Sequence, residues 1–159
     1  MTTNSSGLLV SNTKQMIQTI LKSQEEFSLA ETLELEDRTT WKVILDARYS
    51  LVMNLYLFRG YPFLNVSIGL AEVPQSKMTL VATKALALNE YMGLAGRYGM
   101  DGSILSLSFQ LPLPAIDREY VHFVVQQART LADDTLAEFK EHFDLAPLMV
   151  TLNKQSQLN

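Results

Sequence analysis

The chain has 159 residues, a formal net charge of −4 and a hydrophobic fraction of 47%. A single soluble domain of this size can bury about 70% of its unfolded surface. The 13 Lys and Arg stand against 17 Asp and Glu, which argues against a nucleic-acid partner, since such a protein needs clustered cations. The absence of cysteine excludes disulfides, thiolate nucleophiles and cysteine-ligated metals.

No membrane or export segment is predicted. No basic residue precedes Lys14, so the N-terminus lacks the pattern of a secretory signal. The longest uncharged run, Gly102–Ile116, is too polar and too short to span a bilayer, which takes roughly 20 apolar residues. We therefore expect a cytoplasmic protein without a membrane partner.

Three segments are predicted before the sheet. Residues 1–11 are small and polar, which indicates a flexible N-terminus. Apolar residues at helical spacing then predict an amphipathic helix over about Asn12 to Phe27. Between Glu25 and Asp37 stand six acids and no base. This run is typical of a solvated connector, and binding of a cation or a basic partner is the alternative.

Three strands follow, at Trp41–Ala47, Ser50–Arg59 and Phe63–Glu72, and the short breaks between them predict an antiparallel meander. The middle strand is apolar on both faces, because Val52, Tyr56 and Phe58 oppose a first apolar set. Either a helix or a partner must cover this second face. Trp41, Val52, Tyr56 and Phe58 are therefore the candidate partner or dimer surface.

A second helix is predicted from a Ser76 cap to Met92, with Gly93 in the left-handed position that ends it. Asp101-Gly102 then predicts a type I′ turn between two strands, the second ending before Pro112.

A last helix is predicted over about Asp117 to Phe143, with Asp117 as its cap and Asp133-Asp134 as candidates for interrupting it. Residues 12–146 then form one domain, and residues 147–159 form a tail. The expected fold is α+β, with a five-stranded antiparallel sheet in the order α-β-β-β-α-β-β-α.

No residue is assigned to catalysis, to a cofactor or to a metal. Four glycines three apart, Gly93 to Gly102, lack the Gly-Lys-Ser/Thr of a phosphate loop and are interpreted as a close-packed hairpin corner. His122 and His142 lie roughly 30 Å apart on one predicted helix, too far apart for one metal. Asp133, Asp134 and Glu138 come from that helix alone, whereas Mg²⁺ and Ca²⁺ sites usually draw ligands from several elements.

The element order, together with the sequence Leu86–Tyr91 and the hairpin Gly96–Gly102 leading into Ile104–Leu111, resembles the YbjN-like proteins. These are similar to the type III secretion chaperones (CesT-like). The resemblance covers about Asn12 to Phe143 and includes no catalytic signature. It implies a small acidic protein without enzyme activity or cofactor, often a homodimer, with a regulatory or chaperone-like role.

Two functions are consistent with these observations. The first is a non-enzymatic domain that dimerises, and binds another protein, through apolar sheet and helix surface. The alternative is a regulator that binds a small molecule or a metal through the acidic residues of Glu31–Asp37 or Asp133–Glu138.

Overall fold

The computed structural model describes residues 3–92 and 96–148 and shows an α+β fold of helices packed on one antiparallel sheet. The elements in chain order are α1 (Thr3–Ser23), β1 (Phe27–Leu35), β2 (Arg38–Leu45), β3 (Tyr49–Phe58), β4 (Tyr61–Glu72), α2 (Met78–Asn89), β5 (Gly96–Asp101), β6 (Ile104–Pro112) and α3 (Arg118–Phe143). Short 3₁₀ turns precede α2 and α3, at Gln75–Lys77 and Leu113–Ala115.

The sheet has six strands in the spatial order β1-β2-β3-β4-β6-β5, and all neighbouring strands are antiparallel. The α+β class and the antiparallel sheet are confirmed. The five-strand count is wrong, and so is the order α-β-β-β-α-β-β-α, because a fourth strand precedes α2. The additional strand is β1, which occupies the segment predicted as an acidic connector.

Pairing with other elements makes β1 a strand. It forms a full ladder with β2, with one bulge between Leu29 and Glu31. Two acids of β1 form ion pairs with lysines of other elements. Glu31 contacts Lys42 of β2 at 2.7 Å, and Glu34 contacts Lys14 of α1 at 2.7 Å. The charge run considered alone therefore did not reveal the strand, because the ladder and both cations come from other parts of the chain.

All of the described helices pack on one face of the sheet. Along β3, β4 and β6 the residues on this covered face are buried, except Leu57 at the β3–β4 hairpin, and their neighbours on the opposite face are at least partly exposed. The core lies between this face and the apolar stripes of α1 and α3. Its largest fully buried side chains include Trp41, Phe139, Ile17, Leu51 and Leu64.

The helix boundaries differ from several predictions. α1 begins at Thr3, so residues predicted as a loose end belong to its first turns. α2 is preceded by Lys77 rather than capped by Ser76, and the predicted Gly93 terminator lies outside the described residues. The Asp117 cap is confirmed, since its carboxylate accepts a 2.7 Å hydrogen bond from the Tyr120 N–H. α3 then continues to Phe143 without interruption at Asp133.

The β5–β6 turn also differs in detail. Asp101 pairs with Ile104, so the two loop residues are Gly102 and Ser103. Only Gly102, at φ +60°, has positive φ, which is the pattern of a type II′ turn rather than the predicted type I′. The β3–β4 turn does carry the two positive-φ residues of a type I′ turn, Arg59 and Gly60.

The domain extends slightly into the predicted tail. Pro147 forms a β-bridge with Ala71, and the Leu148 N–H donates to the Leu70 carbonyl at 2.8 Å. The chain therefore stays in contact with β4 to the end of the described residues.

The turn between β2 and β3 is bound to α3 by polar contacts. Arg129 donates to Asp46 at 2.7 Å, and Arg48 contacts Asp133 at 2.7 Å. The buried Tyr49 hydroxyl also donates to Asp133. Burial raises the pKa of this hydroxyl above its ordinary value of 10.0, and the hydrogen bond to the carboxylate raises it further. The neutral hydroxyl is therefore the form that the folded state retains.

We predict that Tyr49→Phe lowers the free energy of unfolding by about 1 kcal/mol at pH 8, because one hydrogen bond is lost. A tyrosine pKa that is raised on folding leaves its stabilisation complete below about pH 10, where the unfolded side chain is still protonated, and removes it as the pH rises further. The difference between wild type and variant should therefore shrink above about pH 10. Urea unfolding at a series of pH values measures this, with the exposed Tyr91→Phe as control. A difference that stays constant with pH would contradict the assignment.

Candidate functional site

The side of the sheet opposite the helices is the candidate site, and we call it the open face. On the three central strands it consists of alternate residues of β3, β4 and β6, none of which is fully buried. These residues are Ser50, Val52, Asn54, Tyr56 and Phe58 of β3, Tyr61, Phe63, Asn65, Ser67, Gly69 and, after a bulge, Glu72 of β4, and Ile104, Ser106, Ser108, Gln110 and Pro112 of β6.

One end of the open face is aromatic. Tyr56 pairs with Phe63 across β3 and β4, and their rings stack with centroids 6.2 Å apart. Beyond them Phe58 pairs with Tyr61 at the hairpin, where the two side chains are 55% and 69% exposed. Gln110 donates to the Tyr56 hydroxyl at 2.6 Å and so orients that ring. A cluster of exposed aromatic side chains such as this is typical of a contact surface.

The rest of the central open face is mostly polar, with few charged or large apolar side chains. The Thr40 hydroxyl of β2 donates to the side-chain oxygen Oδ1 of Asn54 at 2.7 Å, and Asn54 pairs with Asn65 across β3 and β4. Small residues follow along β4 and β6, where Ser67 pairs with Ser108 and Gly69 pairs with Ser106. Apart from Glu72 at the end of β4, no side chain of this part is ionisable, so a partner contacting the middle of the face would not have to desolvate an ion there.

The structure brings together three of the four predicted surface residues. Val52, Tyr56 and Phe58 lie in a row on the open face of β3 and are exposed in part or in full. The prediction that Trp41 belongs to this surface is wrong. Trp41 is 0% exposed and lies on the covered face, where it pairs with Met53. The strand register places Lys42, rather than Trp41, beside Val52.

Other residues of this surface were missed by sequence reasoning. Tyr61 and Phe63 face the same side as Phe58, and Leu33 and Leu35 of β1 extend the same face toward the sheet edge. The signal for the first two was present, because a two-residue hairpin places alternate residues of its two strands on one face. β1 itself was not recognised as a strand, so nothing in the sequence predicted where its leucines lie.

The acidic residues of the alternative function are separated by the fold. Glu31 and Glu34 have different lysine partners, and Glu138 contacts Lys84 at 2.6 Å. Asp133 is held by Arg48 and Tyr49. Within residues 3–92 and 96–148, no three His, Asp or Glu side chains are placed so that they could hold one metal ion.

One open cleft of about 690 Å³ lies where residues 146–148 cross the end of β4, between Val73, Met78 and Ser103. Its lining contains one ionisable side chain, Glu72, and no cluster of polar groups that would define a ligand. Across the described ranges, no helix combines the length and the apolar character needed to cross a membrane.

Comparison with known proteins identifies a solved structure with a similar fold. No protein-family model and no curated protein matches this chain. Among solved structures it is similar to YbjN of E. coli, described provisionally as a transcription regulator, with a TM-score of 0.52 and 15% sequence identity. The match covers 87% of this chain and 96% of that one. The chain therefore has a YbjN-like fold, as the sequence resemblance implied.

The two faces of the sheet should respond differently to substitution. We predict that Trp41→Ala lowers the free energy of unfolding by about 3–5 kcal/mol, because it leaves a large cavity in the core. Phe58→Ser should change it by less than about 1 kcal/mol, since that ring is already largely in water. Urea unfolding measures both. Similar losses for the two variants would show that the open face is itself part of a packed core.

Proposed function

We propose that this protein is a non-enzymatic regulatory or chaperone-like domain that forms a homodimer through the open face of its sheet. The observation that carries the proposal is the aromatic end of that face, where Phe58 and Tyr61 are exposed and Tyr56 and Phe63 are partly exposed. An antiparallel sheet can leave one face in water, but that face then normally carries alternating polar residues. Here a contiguous aromatic group takes their place.

The size of the open face suits a dimer. Six strands about 4.8 Å apart form a sheet about 24 Å wide, and strands of about nine residues extend it about 30 Å. The resulting area of about 700 Å², which includes the charged residues of the outer strands such as Lys42 and Arg97, is close to the roughly 800 Å² that each partner buries in a stable interface. The area supports pairing of two whole sheets better than binding of a small molecule.

Charge also favours a second copy at this face. The chain is acidic, with a formal net charge of −4, so two copies repel each other over most of their surfaces. On the three central strands the open face carries one charged side chain, Glu72 at one end, so two copies can meet at the middle of the face without placing like charges together. The amides of Asn54 and Asn65 both donate and accept, which suits a self-complementary contact.

The regulatory part of the proposal has a separate support. YbjN, which shares this fold, is described provisionally as a transcription regulator. A fold by itself does not establish a function, and the acidic composition of this chain argues against direct contact with nucleic acid. We therefore propose regulation through contact with another protein.

The double substitution Val52→Lys and Tyr56→Lys tests the dimer. Two lysines at the centre of each open face would place four cations in one interface, so the variant should be monomeric where the wild type is dimeric. Light scattering coupled to size-exclusion chromatography measures the mass, and circular dichroism measures folding.

The matched control is Thr130→Lys, which adds a cation on the exposed side of α3 and should leave the dimer unchanged. A wild type that is monomeric over its accessible concentration range, or a folded double variant that remains dimeric, would contradict the proposal. If the double variant unfolds, Phe58→Lys replaces it in the test, because the side chain of Phe58 lies at the exposed rim of the face.

A further inference from the structure

The two edge strands of the sheet, β5 and β1, differ in whether a further strand could pair with them. On β5, the side chain of Asn89 occupies backbone hydrogen-bonding groups at the edge of the sheet. Asn89, at the end of α2, donates its Nδ2–H to the Tyr98 carbonyl at 2.9 Å and accepts the Tyr98 N–H at 2.7 Å. These two bonds reproduce the reciprocal exchange that a paired strand would make. α2 also packs against β5, so this edge has little room for another strand.

The other edge, β1, has no such protection. Among the described residues its only pairing partner is β2, and every residue of β1 after Phe27 is exposed. The outward N–H and C=O groups of an edge strand can pair with an additional strand. Leu29, Leu33 and Leu35 are also exposed along it, the last at 67%, which adds apolar contact area to the free backbone.

Charge indicates what can pair there. Glu25 and Glu26 precede β1, and Glu36 and Asp37 follow it. Among the described residues these four acids have no ion pair, unlike Glu31 and Glu34 within the strand. Antiparallel pairing with a second copy would place the first pair of acids beside the second pair of the other copy, at both ends of the contact. Parallel pairing would place each pair beside itself.

Like charges placed opposite one another destabilise strand pairing. Pairing of β1 with β1 of a second copy is therefore electrostatically unfavourable. The same charges favour a strand of opposite sign. We infer that β1 accepts an extended segment of another protein that is apolar in its centre and carries Lys or Arg at both ends, and that this segment becomes a seventh strand of the sheet. The site uses the outward backbone groups of β1, which are not part of the aromatic end of the open face, and it does not depend on dimerisation.

Three labelled nine-residue peptides test the inference by fluorescence anisotropy with the full chain. The first, Lys-Lys-Val-Thr-Val-Thr-Val-Lys-Lys, has the length and charge pattern that β1 requires. The second replaces its lysines by glutamate, and the third replaces its valines by proline, which keeps the charge and removes the strand-forming N–H groups. We expect the first peptide to bind at least about tenfold more tightly than either of the others, and less tightly as salt is added.

Two variants locate the binding site. Ala30 lies at the bulge of β1, has no partner in β2 and is exposed, so Ala30→Pro should fold normally and bind the first peptide about tenfold more weakly. The charge swap Glu25→Lys with Glu36→Lys leaves the pair of residues at each end of β1 without net charge, so it should remove the preference, and the lysine and glutamate peptides should then bind about equally. The charge swap also provides the test if Ala30→Pro fails to fold.

Several outcomes would overturn the inference. Equal binding of the proline and valine peptides would show general electrostatic attraction instead of strand pairing. An unchanged preference in the charge-swap variant would place the peptide elsewhere. Loss of the dimer in Ala30→Pro would show that β1 pairs with its own copy. The double variant at Val52 and Tyr56 leaves β1 intact and should bind the first peptide normally, so failure of the dimer proposal and failure of this one are distinguishable.

Discussion

One-sided covering of the sheet is the constraint on which the rest of this structure depends. Antiparallel strands direct alternate side chains to opposite faces, and every described helix packs on the same face. The core therefore has two layers, and strand register decides whether a residue is structural or accessible. Trp41 and Lys42 are adjacent in the chain, yet the first is fully buried and the second is exposed on the opposite side.

The same constraint creates both candidate contact surfaces. A face without helices leaves aromatic side chains such as Phe58 and Tyr61 in water, and a sheet that does not close into a barrel must have two edges. At the β5 edge, Asn89 bonds to the backbone groups of Tyr98. At the β1 edge the outward backbone groups are unpaired among the described residues, and the acids that flank the strand disfavour pairing with a second copy. Face and edge differ in chemistry, since the centre of the face is mostly uncharged with an aromatic end and the edge is flanked by acids, so they suit different partners.

Similarity to YbjN establishes the architecture and leaves the function to this chain's own residues. At 15% identity, the two proteins share an arrangement of elements rather than a set of side chains, and one arrangement can support many functions. The proposed roles therefore rest on contacts observed here, such as the Tyr56–Phe63 stack and the Asn89–Tyr98 pair. None of them depends on transferring a residue from the related fold.

The sequence alone determined the features that depend on local periodicity. The alternation in β3 and β4, the apolar stripe of α3 and the Asp117 cap were all predicted, because each is encoded by residues a few positions apart. Val52, Tyr56 and Phe58 were placed on one face for the same reason. Only the tertiary structure decided that β1 is a strand, since its ladder and its lysine partners lie far away in the chain. It also decided which face the helices leave uncovered, because alternation distinguishes two faces without saying where three helices will pack.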